Sequence, residues 1–519
     1  MIRPSDAHEP DEHRADAIIT PATMLVVAVI VVGTAVRVLL AATIGLGVDE
    51  SYAVAVARQW SLGYFDHPPL AFWIAGAVAR LTGHENGFVM RLPFIVMFAG
   101  TTWLVYRIGA RQFGEWAGAY AALLVNLAPV FSVSTGGWIL PDGPLMFFLL
   151  LAVACLTRAL LENGGPALSW WIAAGLAAGL ALLSKYQAVL PIVGLLTFLL
   201  TQPAARRRLR TPGPYVGGAL AALLFTPVIA WNARHGWASF RFQLARGASE
   251  PGLHLGALLE NVGGQAGYLL PWIWLPLVAV LWRGLVRGPR DAKRWFFICL
   301  AIWPIGLFTL VALGGKPGLP HWPAAGYLML FPLLGDVVAS RMARGDARVR
   351  RWLAASAIAF AIILAIVATQ TATGWMTRLV PGLFRRGDPT LEALDWTDLR
   401  TTLATRGLLR DSSLFVASTS WIEGGKIAYA LGERVTVVCL CRNPHHFAYL
   451  HEQRALFGRD ALLLDRTRGS SDAARRYAPY FATIDSLAPV VVRRGGYPAL
   501  TIAVFRAHDF RVPYPMHTE

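Results

Sequence analysis

The chain has 519 residues, is 55% hydrophobic with a mean hydropathy of +0.48, and carries 15% charged residues. Soluble domains average about 25% charged residues, so a purely soluble protein is excluded. The formal net charge is +16, but the cations fall in short loops between apolar runs, which is a signature of membrane topology and not of a nucleic-acid face.

A run of about 20 apolar residues crosses a bilayer as a helix. Residues 24–44 form the first such run. The polar stretch before it lacks the basic flank and short apolar core of a cleaved secretory signal, so the run reads as a retained span behind a cytoplasmic tail, 1–23. Four later loops are strongly basic: 107–115, 204–210, 283–294 and 341–351. The positive-inside rule places all four in the cytoplasm. The threading that satisfies this has about eleven transmembrane helices: 24–44, 92–108, 116–134, 142–160, 169–183, 188–200, 216–231, 267–282, 295–313, 321–335 and 352–371. Residues 45–90 then form a first outer loop. Its apolar piece, 70–81, is too short to cross and reads as a surface or re-entrant helix. Residues 51–62 read as an amphipathic helix lying on the membrane.

Residues 24–372 thus form a polytopic α-helical membrane domain, and 373–519 lie outside the cell membrane as a more highly charged tail. That tail shows short β-like runs at 413–417, 435–440, 461–464, 490–493 and 500–505, with helical patterns at 391–405, 422–431 and 446–457. The alternation predicts a C-terminal periplasmic α/β domain. It has no glycine-rich phosphate loop. Cys439 and Cys441 share a strand face and read as poorly placed to bridge each other; Cys155 and Cys299 lie in apolar spans. The cysteines show neither a disulfide framework nor zinc spacing.

The outer loops carry the polar groups. Asp49 and Glu50 follow the first span directly, where a carboxylate pair either caps the next helix or serves chemistry. Asp66 and His67 precede a rigid Pro-Pro pair and could orient a phosphate or ligate a cation. Asp142 begins a span, as a cap or as a site residue. Lys185, one of only four lysines, stands beside Tyr186 between two short spans and needs an anionic partner. Asn232, His235, Lys316 and His321 complete the outer set. Cations that hold phosphate, together with a carboxylate that accepts a hydroxyl proton, suit a phosphate-bearing lipid substrate.

The motifs VDESYA, GYFDHPPLAFWI, RLPF, LPDGPLMFF, LLSKYQAVL, WNARHGWASFRFQ and KPGLPHWPAAGYLML follow one another in that order. With them the chain resembles the bacterial members of the GT-C superfamily, glycosyltransferase family 39. These include aminoarabinose and galacturonic acid transferases acting on lipid A or lipopolysaccharide core, with the protein O-mannosyltransferases more distant. The tail segment 415–440 also looks like that family's outer domain.

The resemblance implies an inverting enzyme of the bacterial inner membrane, its site facing the periplasm. It would move a sugar from a polyprenyl-phosphate donor to lipid A, lipopolysaccharide core or another glycolipid. It implies Asp49 as the catalytic carboxylate with Glu50 in support, and Asp142 as a second catalytic aspartate. Lys185 and Tyr186 would lie near the lipid phosphate, with Asp66, His67, Asn232, His235, Lys316 and His321 lining the substrate site. The resemblance implies no definite cofactor. A divalent metal, held by Asp49, Asp142 and His235, is left open. Protein O-mannosylation is the alternative within the class; a lipid or sugar transporter is the alternative outside it. Transporters gather polar residues near the bilayer midplane, and here they gather at one face.

Overall fold

The computed structural model describes residues 20–162, 167–246, 252–316, 318–467 and 472–516. Most of the expected N-terminal tail, up to residue 19, lies outside them.

A helix stands at each of the eleven expected spans. In chain order the helices of the first part are α1 (Pro21–Thr43), α2 (Val48–Ala57), α3 (Leu70–Thr82), α4 (Gly87–Phe113), α5 (Glu115–Asn126), α6 (Asp142–Leu160), α7 (Ala167–Ser184), α8 (Val189–Thr201) and α9 (Gly213–Arg234). They continue with α10 (Ala238–Arg246), α11 (Leu255–Leu269), α12 (Pro271–Arg287), α13 (Ala292–Val311), α14 (Ala324–Ala343) and α15 (Ala347–Thr373). Among the described residues, six helices are long and apolar enough to cross a membrane alone. The number is nine if three bent pairs count as single spans. This is fewer than the eleven expected, for physical reasons. Helix α7 is short. Helix α14 is packed inside the bundle, with Tyr327 to Gly335 all buried, so it can carry Asp336 and Arg341 without facing lipid. One bent pair breaks by 110° at Leu270, whose φ of 67° precedes Pro271. A proline there removes the N–H that would continue the ladder.

The bundle closes through small residues, as expected where lipid supplies no hydrophobic drive between helices. Gly109 on α4 lies against Gly118 on α5, so near that a side chain on Gly109 would sit 2.7 Å from the Gly118 Cα.

Helix α3 is 13 residues long, about 20 Å, and falls short of a bilayer core of about 30 Å. The expectation for 51–62 needs correction. Helix α2 ends at Ala57, and Glu50 through Ala57 are all buried, so it does not lie on the membrane surface. The C-terminal domain covers it.

That domain contains α16 (Thr397–Thr405), β1 (Phe415–Ser418), α17 (Trp421–Leu431), β2 (Val437–Cys439), β3 (Ala461–Thr467), β4 (Phe481–Arg494) and β5 (Tyr497–Phe510). Each expected β-run falls on a strand. The sheet order is β2-β1-β3-β5-β4; β1 pairs in parallel with β2 and β3, while β5 runs antiparallel to β3 and β4. Alternate residues face two cores. Val416, Leu462 and Leu464 join Tyr52 and Phe72 of the first loop, whereas Phe415, Ala417 and Leu463 join Phe510 behind the sheet.

Two expectations for the tail fail. Residues 446–457 form two 3₁₀ turns, His445–Tyr449 and Gln453–Leu456, and no α-helix. Cys439 and Cys441 are joined by a disulfide, with Cα atoms 5.6 Å apart. Strand β2 stops at Cys439 and the chain bends after it, which brings the pair inside bridging range.

Candidate active site

Helix α2 begins at a glycine N-cap and places Asp49 and Glu50 one residue apart in its first turn. Successive residues point about 100° apart on a helix, so the two carboxylates meet different surroundings. Glu50 turns inward. It accepts from the Gly47 N–H at 2.8 Å, the Ile139 N–H at 3.1 Å, Arg91 Nε at 2.7 Å and Arg91 Nη2 at 2.5 Å. Arg91, from the RLPF motif on α4, also donates to the carbonyls of Ile44 and Gly45. These four bonds tie Glu50 to the turn, to α4 and to Ile139 and hold the loop in place.

Asp49 faces the other way. It is accessible to water although protein encloses it on most sides, and no described residue bonds its carboxylate. Burial, then the neighbouring charges of Glu392, Asp66 and Glu50, push its pKa up to about 6, while His445 pulls the other way.

Asp66 is held between two domains. One carboxylate oxygen accepts a short bond from the Tyr52 hydroxyl and the other pairs closely with Nδ1 of His445. Burial works against ionising Asp66, but His445, His67 and Tyr52 hold its pKa below the usual carboxylate range. The Tyr52 oxygen accepts in turn from the His446 N–H at 2.9 Å, and the Phe65 N–H donates to His446 Nδ1 at 3.1 Å. His445 stacks on Trp421 with ring centroids 4.2 Å apart. Its φ of 53° is left-handed, a conformation that histidine adopts more readily than most residues and that its Asp66 and Trp421 contacts hold. Lys426 on α17 reaches the carbonyls of Leu46 at 2.5 Å and Leu394 at 2.7 Å, tying the tail to the turn just before Asp49.

Asp142, at the start of α6, forms a two-oxygen ion pair with Lys185 at 2.9 and 2.8 Å. The lysine thus finds the anionic partner it needed, in protein. His67 and His321 lie within electrostatic reach of this pair. Burial, then Lys185, pushes His67 down to about 3 and His321 down to about 4, so both rings are neutral near pH 7. His67 Nδ1 is buried and has no hydrogen-bond partner among the described residues, which leaves it available to a ligand hydroxyl or water. Arg246, at the end of α10, packs over Phe242 and Trp322; no described carboxylate bridges it, although Asp66 and Asp49 both act on it.

The remaining expected residues are less central. Tyr186 bonds Ser239 at 2.6 Å. Asn232 is fully buried; its side chain meets the Val228 carbonyl and the Phe240 N–H and also hydrogen-bonds Tyr186. His235 stacks on Trp231, with Nδ1 on the Trp231 carbonyl. Lys316 is exposed. Among the described residues no three His, Cys, Asp or Glu side chains form a metal-holding group. Asp49, Asp142 and His235 are therefore not assembled as a metal set among the described residues.

Sequence reasoning missed Tyr52, Arg91, Arg246, Trp421, His445 and His446 as site residues. Tyr52 and Arg91 sit inside quoted motifs. The His-His pair at 445–446 was the signal in the tail, though nothing local gives it a partner.

The dolichyl-phosphate-mannose-protein mannosyltransferase family matches residues 66–231, which include Asp66, Asp142, Lys185 and Trp231. A lipid A galacturonosyltransferase of Rhizobium johnstonii is 30% identical over 291 residues; the match spans 54% of this chain and 58% of that relative, less than two thirds of its length. The crystal structure of ArnT from Cupriavidus metallidurans, without ligand, superposes with a TM-score of 0.64 at 16% identity, covering 94% of this chain and 98% of that one. The same protein bound to undecaprenyl phosphate gives 0.62, also at 16% identity, covering 93% and 97%.

Proposed function

We propose, from the GT-C glycosyltransferase fold of this chain, that it transfers a sugar from a polyprenyl-phosphate donor to a glycolipid, with inversion at the anomeric carbon. The acceptor is lipid A, lipopolysaccharide core or a related lipid. The reaction takes place on the periplasmic side of the inner membrane.

One observation carries this reading: of the two adjacent carboxylates, Asp49 is the one left without a partner among the described residues, in an enclosed but open position. In the proposed step the acceptor hydroxyl oxygen bonds to the anomeric carbon, and the bond from that carbon to the phosphate oxygen breaks. The hydroxyl proton passes to an Asp49 oxygen, and polyprenyl phosphate leaves as the anion. Phosphate is a good leaving group, so the site's work is to fix the reactants and balance charge. Arg246 and the lysine of the Asp142–Lys185 pair are the cations nearest this task. His67 and His321, both neutral, supply hydrogen bonds to hydroxyls. Asp66, locked by Tyr52 and His445, fixes the wall beside Asp49. The named activity of the Rhizobium relative and the undecaprenyl phosphate bound by the ArnT structure support the donor and acceptor classes.

The test compares the lipids of a deletion strain carrying the wild-type chain with those of one carrying Asp49→Asn, by mass spectrometry. Loss of a general base costs roughly 10²- to 10⁴-fold, so the sugar-modified lipid should disappear. Wild-type amounts of product from Asp49→Asn would remove the assignment.

A further inference from the structure

We infer that the end of the bundle opposite Asp49 holds a binding site for the phosphate headgroup of an anionic phospholipid. Helix α14 starts three residues after His321 and runs for 20 residues to Ala343, about 30 Å away. There it meets the end of α12 and the start of α13, and the three enclose a cavity of about 330 Å³. Arg283, Arg287, Arg294, Arg341 and Arg344 line it, with Asp291 and Asp336. Arg294 takes both carboxylates, pairing with Asp291 at 3.0 Å and Asp336 at 2.5 Å. Arg283, Arg287, Arg341 and Arg344 are exposed and have no ion pair with a described residue.

Membrane orientation accounts for positive loops at one face, but flat loops serve that purpose equally well. It gives no reason for four unpaired guanidiniums to converge on one cavity. Guanidinium forks match phosphate oxygens two at a time. Val280 and Leu333 close the bottom of the cavity from the bundle core, and Val337 is partly exposed beside them. The cavity lies at the helix ends that the basic loops assign to the cytoplasmic face, where the anionic headgroups of the inner leaflet are concentrated and draw arginines to them. The site is separate from the proposed transfer reaction and stands or falls without it.

The test uses the full chain in a zwitterionic detergent and counts retained lipid by native mass spectrometry. Phosphatidylglycerol should be retained at least about tenfold better than phosphatidylcholine, since each arginine near an anionic headgroup contributes on the order of fivefold. The variant Arg283→Gln/Arg287→Gln/Arg344→Gln should lose that preference. Arg207→Gln/Arg208→Gln/Arg210→Gln, which removes the same charge from another basic turn, should keep it. Equal retention of the two lipids by the wild type overturns the proposal and needs no variant. So does an unchanged preference in the cavity variant, or an equal loss in the turn variant. Displacement of phosphatidylglycerol by millimolar inorganic phosphate would make this a site for free anions and overturn the lipid assignment.

Discussion

Asp49 and Glu50 are neighbours in sequence with opposite fates, and Arg91 decides between them. A buried guanidinium with two bonds to Glu50 holds that side chain in place, and removing either partner would leave the other buried and unpaired. Asp49, next to three further carboxylates and one histidine, keeps its proton up to about pH 6. As a base it works only when deprotonated. The rate at low substrate should therefore fall as pH drops through about 6, nearing tenfold per unit below it, and level off above. A pH series of the purified enzyme checks this; a rate flat from pH 5 to 7 would show that Asp49 is not the proton acceptor. Asp49, Asp142 and Lys185 were legible in the sequence because a charged residue at a span end needs an explanation, and each lies at one. His445 was not. It meets Asp66 across 379 residues, and only the folding of the tail onto the first loop brings them together. Tail histidines are ordinary in a charged domain, and no local pattern sets His445 apart.

At the level of elements, the contact between α2 and α17 joins the two halves of the site. Helix α17 carries Trp421 to His445 and Lys426 to Leu46 and Leu394. It approaches α2 through Gly425, where a side chain would stand 2.9 Å from the Cα, Cβ and N of Tyr52. Two of those atoms are backbone and cannot move aside. Gly425→Ala should therefore push α17 off α2 and loosen Tyr52 and His445 around Asp66. Overpacking of this kind costs about 1–3 kcal/mol. The expected result is at least a tenfold loss of transfer activity, with expression and membrane insertion of the chain unchanged. Full activity in Gly425→Ala would show that the tail can shift without disturbing the site. Sequence periodicity identified both helices but placed α2 on the membrane surface. A small amphipathic helix covered by lipid and one covered by another domain present the same apolar face, so only the partner distinguishes them.

At the scale of the whole molecule, the apolar runs and basic loops carry most of the architecture, and its sidedness depends on one short helix. If α3 crossed the membrane, every later segment would change sides relative to the first span. Its 13 residues are too few. Its N-terminal half is used otherwise: Ala71, Phe72, Ala75 and Gly76 are buried, and a side chain on Gly76 would lie 2.7 Å from the Ala57 carbonyl of α2. That packing against α2 matches a helix that does not cross. Reporter fusions then have fixed outcomes. An alkaline phosphatase joined after Thr371 should be active, because that enzyme needs the oxidising periplasm to form its disulfides. The same reporter joined within 207–210 should be inactive, and a fluorescent protein there should glow. Both results follow from the positive-inside rule with α3 outside the bilayer. A crossing α3 would put Asp49 and the tail on opposite sides of the membrane, which their shared contacts through Lys426 and His445 do not allow, so the reverse pair of readings would point elsewhere. In that case α1 alone would run the other way, carrying Asp49 and the tail together to the opposite side, with α3 still outside the bilayer.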